Sequence, residues 1–139
     1  MMPSEPGSPP RAGGGAEGPF TIERDRVRKL VIITRRGFWN EQDASRYEQA
    51  MNFLLATLDF EREQFDVLID LAEAQPLSHT AAEGVGRVVD AMVRAGLHKS
   101  ATVSPSAMSR IQVRRILPAT EHFAVFSSRD EAMTWLATS

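Results

Sequence analysis

The spacing of apolar side chains changes along the chain between the period of a β-strand and that of an α-helix. Residues 20–23 alternate apolar and polar positions, and an aliphatic, β-branched run covers residues 27–34. This pattern predicts a hairpin whose second strand enters the core. Gly37 ends that strand, and Asn40 followed by Asp43 is typical of a helix N-terminus with Asn40 as the N-cap.

The first predicted helix has a single apolar face. Trp39 precedes the N-cap and is placed to pack on Ala44 in the first turn, as in a hydrophobic staple. An apolar stripe at helical spacing follows, and we expect it to face the core. It comprises Tyr47, Met51, Leu54, Leu55 and Leu58.

The middle of the chain predicts a buried strand and a second helix. Residues 65–71 form a short, nearly continuous apolar run, which indicates a central strand covered on both faces. Thr80 and Glu83 match a capping box at the start of the second helix, and Gly96 is placed to cap its end. The predicted inner stripe of this helix is Val85, Val88, Val89, Met92 and Val93.

A third strand and helix follow the same order. Residues 101–103 predict a strand. Ser104 and Pro105 predict the N-cap and the first residue of a third helix, which should run to about Leu117 because Pro118 stops it.

The last elements complete the predicted fold class. Residues 122–126 predict a strand, and Ser128 with Glu131 forms another capping box before a terminal helix. Strands that alternate with helices imply an α/β fold, with a mixed, mostly parallel sheet of about five strands flanked by about four helices. The opening hairpin adds an antiparallel edge. The inner face of the terminal helix carries Ala132, Trp135 and Leu136.

Composition indicates one folded domain behind a tail. Residues 1–18 are rich in Gly and Pro and almost free of apolar side chains, so they cannot bury enough surface to offset the entropy of ordering. We expect a disordered tail over residues 1–18 and a single domain over residues 19–139. The apolar fraction of 42% and the charged fraction of 24% are those of an ordinary globular protein.

Charge and cysteine content exclude several classes of protein. The 16 basic and 18 acidic residues give a net charge of −2, which argues against binding nucleic acid by broad phosphate neutralisation. The absence of cysteine excludes disulfides and thiolate metal sites and favours a cytoplasmic location. Apolar runs such as residues 30–33 are too short for a transmembrane segment.

Ligand and partner sites in such a sheet gather at the carboxyl ends of the strands. Three segments are expected there: residues 70–80, 104–110 and 127–130. Asp70, near a predicted strand end, is a candidate carboxylate for catalysis or ligand binding. In the alternative interpretation it fixes its loop through hydrogen bonds to backbone amides.

Polar side chains at the start of the second helix are further candidates. Ser78 and Thr80 flank His79 there. Each hydroxyl either caps free backbone amides or accepts a phosphate, whose charge the positive end of the helix would stabilise.

A group of basic side chains falls on the third predicted helix. Arg110 and Arg114 are one turn apart, and Arg115 widens the patch. These residues are candidates for binding a phosphate, a carboxylate or an acidic partner. The alternative is a solvated basic face.

The sequence contains no catalytic or cofactor signature. His79, His98 and His122 lack the paired spacing of a zinc site, and no Gly-x-Ser-x-Gly motif marks a hydrolase nucleophile. Gly84 and Gly86 lie inside a predicted helix and therefore form no phosphate-binding loop. We expect a non-enzymatic protein without a cofactor or metal.

Residues 65–86 form a combined pattern of three parts. An aliphatic strand ends in Asp70 and Leu71, a loop follows, and small polar residues then begin a Gly-containing helix. This pattern resembles the STAS superfamily, which includes bacterial anti-sigma-factor antagonists and a branch with a lipid-transfer-like fold. The resemblance extends over most of the chain after Phe20, up to the closing residues 131–136.

The resemblance implies a bacterial regulatory domain that binds another protein near Ser78. Members of the family that act as phospho-switches carry an Asp-Ser pair at the start of this helix, where a partner kinase phosphorylates the serine. This chain has Ser78, His79 and Thr80 there, so the usual pair is absent. Ser78 and Thr80 are candidate phosphate acceptors by position alone.

Two other functions stay open at this point. An apolar cavity of several hundred Å³ between the sheet and the second helix would favour a small-molecule or lipid-binding domain. A hydrogen-bonded pair of Asp70 and His79 in a cleft would favour an enzyme. The sequence also leaves open whether the chain is a monomer or a homodimer.

Overall fold

The computed structural model describes residues 18–61 and 64–138, without the side chains of residues 59–61. Residues 1–17 of the predicted tail lie outside this part of the chain. The elements are β1 (Phe20–Asp25), β2 (Leu30–Gly37), α1 (Glu41–Glu61), β3 (Phe65–Ala74), α2 (His79–Ala95), β4 (Leu97–Val103), α3 (Ala107–Ile116), β5 (Phe123–Phe126) and α4 (Arg129–Leu136).

The strands form one mixed sheet in the order β1-β2-β3-β4-β5. β1 and β2 are antiparallel, and the remaining neighbours are parallel. Val67 in β3 is level with Val31 in β2 and with Ser100 in β4, so β3 is the central strand. The predicted α/β class, the mostly parallel sheet and the antiparallel edge are confirmed.

Helices cover both faces of the sheet. α1, α2 and α3 lie on one face, where Val31, Val67 and Met92 belong to the larger hydrophobic core. α4 lies on the other face, where its Ala132 packs with Leu68. Within residues 18–61 and 64–138, no helix is long and apolar enough to cross a membrane.

The hairpin turn is longer than predicted. β2 begins at Leu30, and Val27 lies in the turn with 94% of its surface exposed. The Asp25 side chain accepts a hydrogen bond from the Arg28 backbone N–H at 3.1 Å, and Lys29 adopts a positive φ of 54°. This turn reverses the chain before the β-branched run can pair.

Two helix N-termini have the predicted caps. In α1 the Asn40 side chain accepts a hydrogen bond from the Asp43 N–H at 2.8 Å, and the Asp43 carboxylate accepts one from the Asn40 N–H at 3.1 Å. In α4 the Ser128 hydroxyl accepts a hydrogen bond from the Glu131 N–H at 3.2 Å. Both arrangements satisfy backbone amides that no helical carbonyl reaches.

The other two N-caps differ from the prediction. The N-cap of α2 is Ser78, whose hydroxyl accepts a first-turn N–H at 3.2 Å, and Thr80 lies inside the helix. The N-cap of α3 is Ser106, not Ser104. The Ser104 N–H donates to the Phe126 carbonyl oxygen at 2.8 Å, so this residue continues the pairing with β5, and the helix begins after Ser106.

The inner face of α2 also differs from the prediction at one position. Val93 is 51% exposed, whereas Ala81 and Gly84 are buried. A Cβ at Gly84 would lie 3.9 Å from the Ala44 Cβ of α1, so small residues allow the two helices to approach closely. Gly96 caps the end of α2 in the left-handed conformation, as predicted, with φ of 107°.

The first two described residues are bonded to the sheet and to α1's entrance. The Pro19 carbonyl oxygen accepts hydrogen bonds from the Arg36 N–H at 2.8 Å and from Trp39 Nε1 at 3.0 Å. The Gly18 carbonyl oxygen accepts one from Arg36 Nη1 at 3.4 Å. These bonds join Gly18 and Pro19 to β2 and to the residue that precedes the N-cap of α1.

We expect removal of residues 1–17 to leave the melting temperature within about 3 °C of the full chain, because they offer almost no apolar surface to bury. Removal of residues 1–19 should lower it by several degrees, because buried Trp39 Nε1 loses its acceptor. Thermal unfolding followed by circular dichroism compares the two truncations. A large loss of stability in the shorter truncation would contradict the predicted tail.

Candidate functional site

A side-chain clamp joins the β3–α2 loop to α3. Gln112 Oε1 accepts a hydrogen bond from the Leu77 N–H at 3.0 Å, and Gln112 Nε2 donates to the Leu77 carbonyl oxygen at 2.9 Å. Leu77 is buried and directly precedes the Ser78 N-cap. The clamp therefore holds the first turn of α2 beside α3.

The first turn of α2 presents three of the predicted site residues. Ser78, His79 and Thr80 are all exposed. The Ser78 hydroxyl is engaged as the N-cap acceptor, and His79 Nε2 lies 3.3 Å from the Glu83 carboxylate. Negative charge added at this end of the helix would be stabilised by its dipole.

α3 has an outward face that is apolar at its start and basic at its end. Met108 is 73% exposed and Ile111 is 49% exposed. Arg114 and Arg115 follow Ile111 by three and four residues, share its side of the helix, and are exposed. The opposite side of α3 packs inwards through Val113.

Arg110 is engaged in local structure beside this face. Its Nη1 donates to the carbonyl oxygens of Ser104 at 2.8 Å and Pro105 at 3.0 Å. These bonds hold the loop that leads from β4 into α3. Arg114 and Arg115 are therefore the exposed members of the predicted basic group.

Asp70 lies within β3 on the side of the sheet that α4 covers. Its Oδ1 accepts a hydrogen bond from the Ala72 N–H at 2.9 Å, and its Oδ2 lies 3.2 Å from Arg129 Nη1. These contacts match the interpretation in which the carboxylate fixes local structure. Asp70 pairs with Arg129 and His79 pairs with Glu83, so the Asp70–His79 pair of the enzyme hypothesis does not form.

The exposed side chains at the start of α2 and on the outward face of α3 form the candidate site, which we name the α2–α3 surface. Its apolar part can be buried by a partner, and its guanidinium groups can bind carboxylates. It comprises Ser78, His79, Thr80, Met108, Ile111, Arg114 and Arg115.

A cavity lies between the sheet and helices α2 and α3. Its volume is about 50 Å³, far below the several hundred Å³ that would favour the small-molecule or lipid-binding alternative. Val89, Met92 and Ile116 contribute apolar walls, whereas Arg35 and Thr102 are polar lining residues.

Arg35 is the charged residue of this cavity. The alternation that turns Val31 and Ile33 inwards continues to Arg35, which is 6% exposed. Its guanidinium carbon lies 5.3 Å from the centre of the Trp39 ring, and Nη2 donates to the Gln75 carbonyl oxygen at 3.1 Å. Burial lowers the pKa of Arg35 to about 10, so the side chain is still charged at neutral pH.

The amino edge of the sheet holds the other two histidines. His98 Nδ1 lies 3.2 Å from Asp66 Oδ1, and His122 Nδ1 lies 2.9 Å from the His98 carbonyl oxygen. Asp66 also accepts a hydrogen bond from the Lys99 N–H at 3.1 Å. These contacts tie neighbouring strands together. In the described part of the chain, no cluster of three or more side chains suits a metal ion.

Several solved protein structures are similar to the structure of this chain. An uncharacterised protein from Shewanella loihica with a SpoIIAA-like fold has a TM-score of 0.63 and 19% identity, over 85% of this chain and 92% of that chain. An anti-sigma factor antagonist from Mycobacterium paratuberculosis has a TM-score of 0.57 and 15% identity, over 86% and 95%. The anti-sigma factor antagonist SpoIIAA, unphosphorylated, has a TM-score of 0.57 and 16% identity, over 86% and 99%.

These similarities establish the fold class. The chain has the SpoIIAA-like fold that anti-sigma factor antagonists share, and the STAS resemblance is confirmed at that level. The sequence matches no protein-family model and no curated protein sequence. Sequence identities of 15–19% support a shared fold and nothing more specific.

Proposed function

We propose that this domain is a non-enzymatic regulatory module of the bacterial cytoplasm that binds another protein through the α2–α3 surface. The observation that carries the proposal is the exposed apolar pair Met108 and Ile111 beside two exposed arginines. Apolar side chains of this kind are stabilised when a partner covers them. Structural neighbours that are anti-sigma factor antagonists support a regulatory role.

The charge of the α2–α3 surface favours an acidic partner. Arg114 and Arg115 extend the outward face of α3 beyond Ile111. Guanidinium groups form paired hydrogen bonds with carboxylates, and an apolar anchor contributes most when it fills a pocket that excludes water. We therefore expect a partner that presents an apolar pocket with an acidic rim.

The proposed module works without the usual Asp-Ser switch. Ser78 is occupied as the N-cap of α2, and His79 stands next to it. Thr80 is exposed in the first turn, where the helix dipole tolerates a phosphate. Phosphorylation of Thr80 would place negative charge beside the binding face and repel an acidic partner.

We expect Ile111→Glu and Arg114→Glu each to weaken partner binding about tenfold or more. Ile111→Glu places a charge in an apolar contact, and Arg114→Glu replaces attraction to an acidic partner with repulsion. The partner is first identified by chemical cross-linking of the full chain in its own cell. Dissociation constants are then measured with the purified partner by titration calorimetry.

Phe53→Glu is the matched control for these variants. Phe53 is 78% exposed on α1, which contributes no residue to the α2–α3 surface, so the same substitution should leave binding and folding unchanged. Wild-type affinity in both Ile111→Glu and Arg114→Glu, with intact circular dichroism, would place the interface elsewhere. Cross-links that join only two copies of this chain would make the surface a homodimer interface.

We expect Thr80→Glu to bind the same partner more weakly while it folds normally, because the added charge faces the partner and not the core. The calorimetric titration described above measures the loss, and circular dichroism measures the fold. Unchanged affinity would show that Thr80 is not positioned to act as a switch.

A further inference from the structure

The cavity behind α2 contains a buried cation without an anionic partner. Among the side chains that the structure describes, the Arg35 guanidinium has no carboxylate within ion-pair distance. Arg35 Nη2 donates to the Gln75 carbonyl oxygen, whereas Arg35 Nε has no acceptor among the described residues. Buried arginines normally pair with an anion, since an uncompensated buried charge is costly.

Thr102 adds a second polar group to the same cavity. It is 1% exposed on β4, and its Oγ1 has no hydrogen-bond partner in the part of the chain that the structure describes. Val89, Met92 and Ile116 supply apolar walls around it. The cavity lining therefore combines one cationic donor, the hydroxyl-bearing residues Thr102 and Tyr47, the carboxamide of Gln112 and an apolar surround. Arg35 Nε and Thr102 Oγ1 are its buried polar atoms without a partner among the described residues, and such atoms are normally satisfied by an occupant.

We propose that this cavity binds a short-chain monocarboxylate, with the carboxylate on Arg35 and Thr102 and the alkyl group against Val89 and Met92. A carboxylate carries the single negative charge that balances one guanidinium, and its oxygens accept hydrogen bonds from both donors. The apolar walls favour an alkyl group over an inorganic anion. A volume of about 50 Å³ admits only a few heavy atoms and excludes a long acyl chain.

Ordered water is the competing occupant. A cavity of this size holds water, and water molecules would satisfy Arg35 Nε and Thr102 Oγ1 without any ligand. The two occupants differ in one measurable respect. Only a monocarboxylate site binds an added carboxylate saturably, and it does so only while the charge of Arg35 is present. The site is separate from the α2–α3 surface, so its test is independent of the protein partner.

To test the proposal, propionate, 1-propanol and propylamine are each titrated into the full chain at constant ionic strength. Each titration is monitored by ¹H–¹⁵N NMR. Trp39 lines the cavity, whereas Trp135 packs on the α4 face, so their indole resonances report on the two sides of the sheet. We expect propionate to shift the Trp39 resonance saturably, to leave Trp135 unchanged, and to raise the melting temperature. The alcohol and the amine have similar size but no negative charge and should not saturate.

Three variants test the assignment of the ligand groups. Arg35→Met removes the charge and should abolish the saturable shift, and Thr102→Val keeps the shape and should weaken affinity about five- to tenfold. Arg114→Met removes an exposed arginine and should bind propionate as the wild type does. Absence of a saturable shift in the wild type, or an equal shift in Arg35→Met, would overturn the proposal in favour of water. If Arg35→Met does not fold, unchanged affinity in Thr102→Val overturns it.

Discussion

Replacing Val67 with aspartate is expected to unfold the domain. Val67 is fully buried in the central strand, level with Val31 of β2 and Ser100 of β4. A carboxylate at this position loses its hydration and gains no cationic partner. The cost is several kcal/mol, comparable with the whole stability of a small domain, about 5–15 kcal/mol. Loss of the cooperative thermal transition in circular dichroism measures the effect.

Two further substitutions serve as controls for Val67→Asp. Phe53→Asp introduces the same charge at an exposed position of α1 and should leave the transition intact. Val67→Ala removes apolar contacts without adding charge, so it should cost about 1–3 kcal/mol and still fold. A soluble Val67→Asp variant with a cooperative transition would contradict the burial of β3 under α1 and α2.

Trp39→Ala is expected to destabilise the domain by about 3–5 kcal/mol, the usual range for truncating a buried tryptophan. Trp39 is 1% exposed, and its ring centre lies 5.7 Å from that of Phe20 and 5.1 Å from that of Tyr47. The substitution also removes the ring that packs on Arg35 and the donor that bonds to Pro19. Urea unfolding measures the change in the free energy of unfolding.

Trp39→Phe and Trp135→Ala separate the contributions in that prediction. Trp39→Phe keeps an aromatic ring but removes the Nε1 donor, so it should cost about 1–2 kcal/mol. Trp135 is half-buried on the α4 face, where it packs on Phe126, and its truncation should cost less than that of Trp39. Equal losses for Trp39→Ala and Trp135→Ala would contradict the role of Trp39 as the main aromatic anchor.

The helix N-termini show how far local sequence reasoning reaches. The caps at Asn40 and Ser128 were predicted correctly, because each has an acidic residue three positions later whose N–H its side chain accepts. At α2 both Ser78 and Thr80 could serve as the N-cap. Gln112 holds Leu77, the residue before Ser78, through two hydrogen bonds, and this fixed path of the chain favours Ser78. At α3, sheet pairing keeps Ser104 extended.

The candidate site was predicted in part. The start of α2 and the basic residues of α3 were identified from sequence. Met108 and Ile111 were missed, although Met108, Ile111 and Val113 cannot all point to the core from one short helix, and that spacing is the signal that could have found them. Arg35 was also missed, although the period of two from Val31 and Ile33 places it inwards.

The sequence by itself determined the order of elements, the central strand and the mostly parallel sheet, because apolar periodicity and turn residues act over a few neighbouring positions. Tertiary structure alone decided which exposed side chains share a surface. Gln112 meets Leu77 across 35 residues, and Arg129 meets Asp70 across 59. It also decided that Arg35 and Thr102 line one cavity. Such contacts depend on how whole elements pack, and no local spacing encodes them.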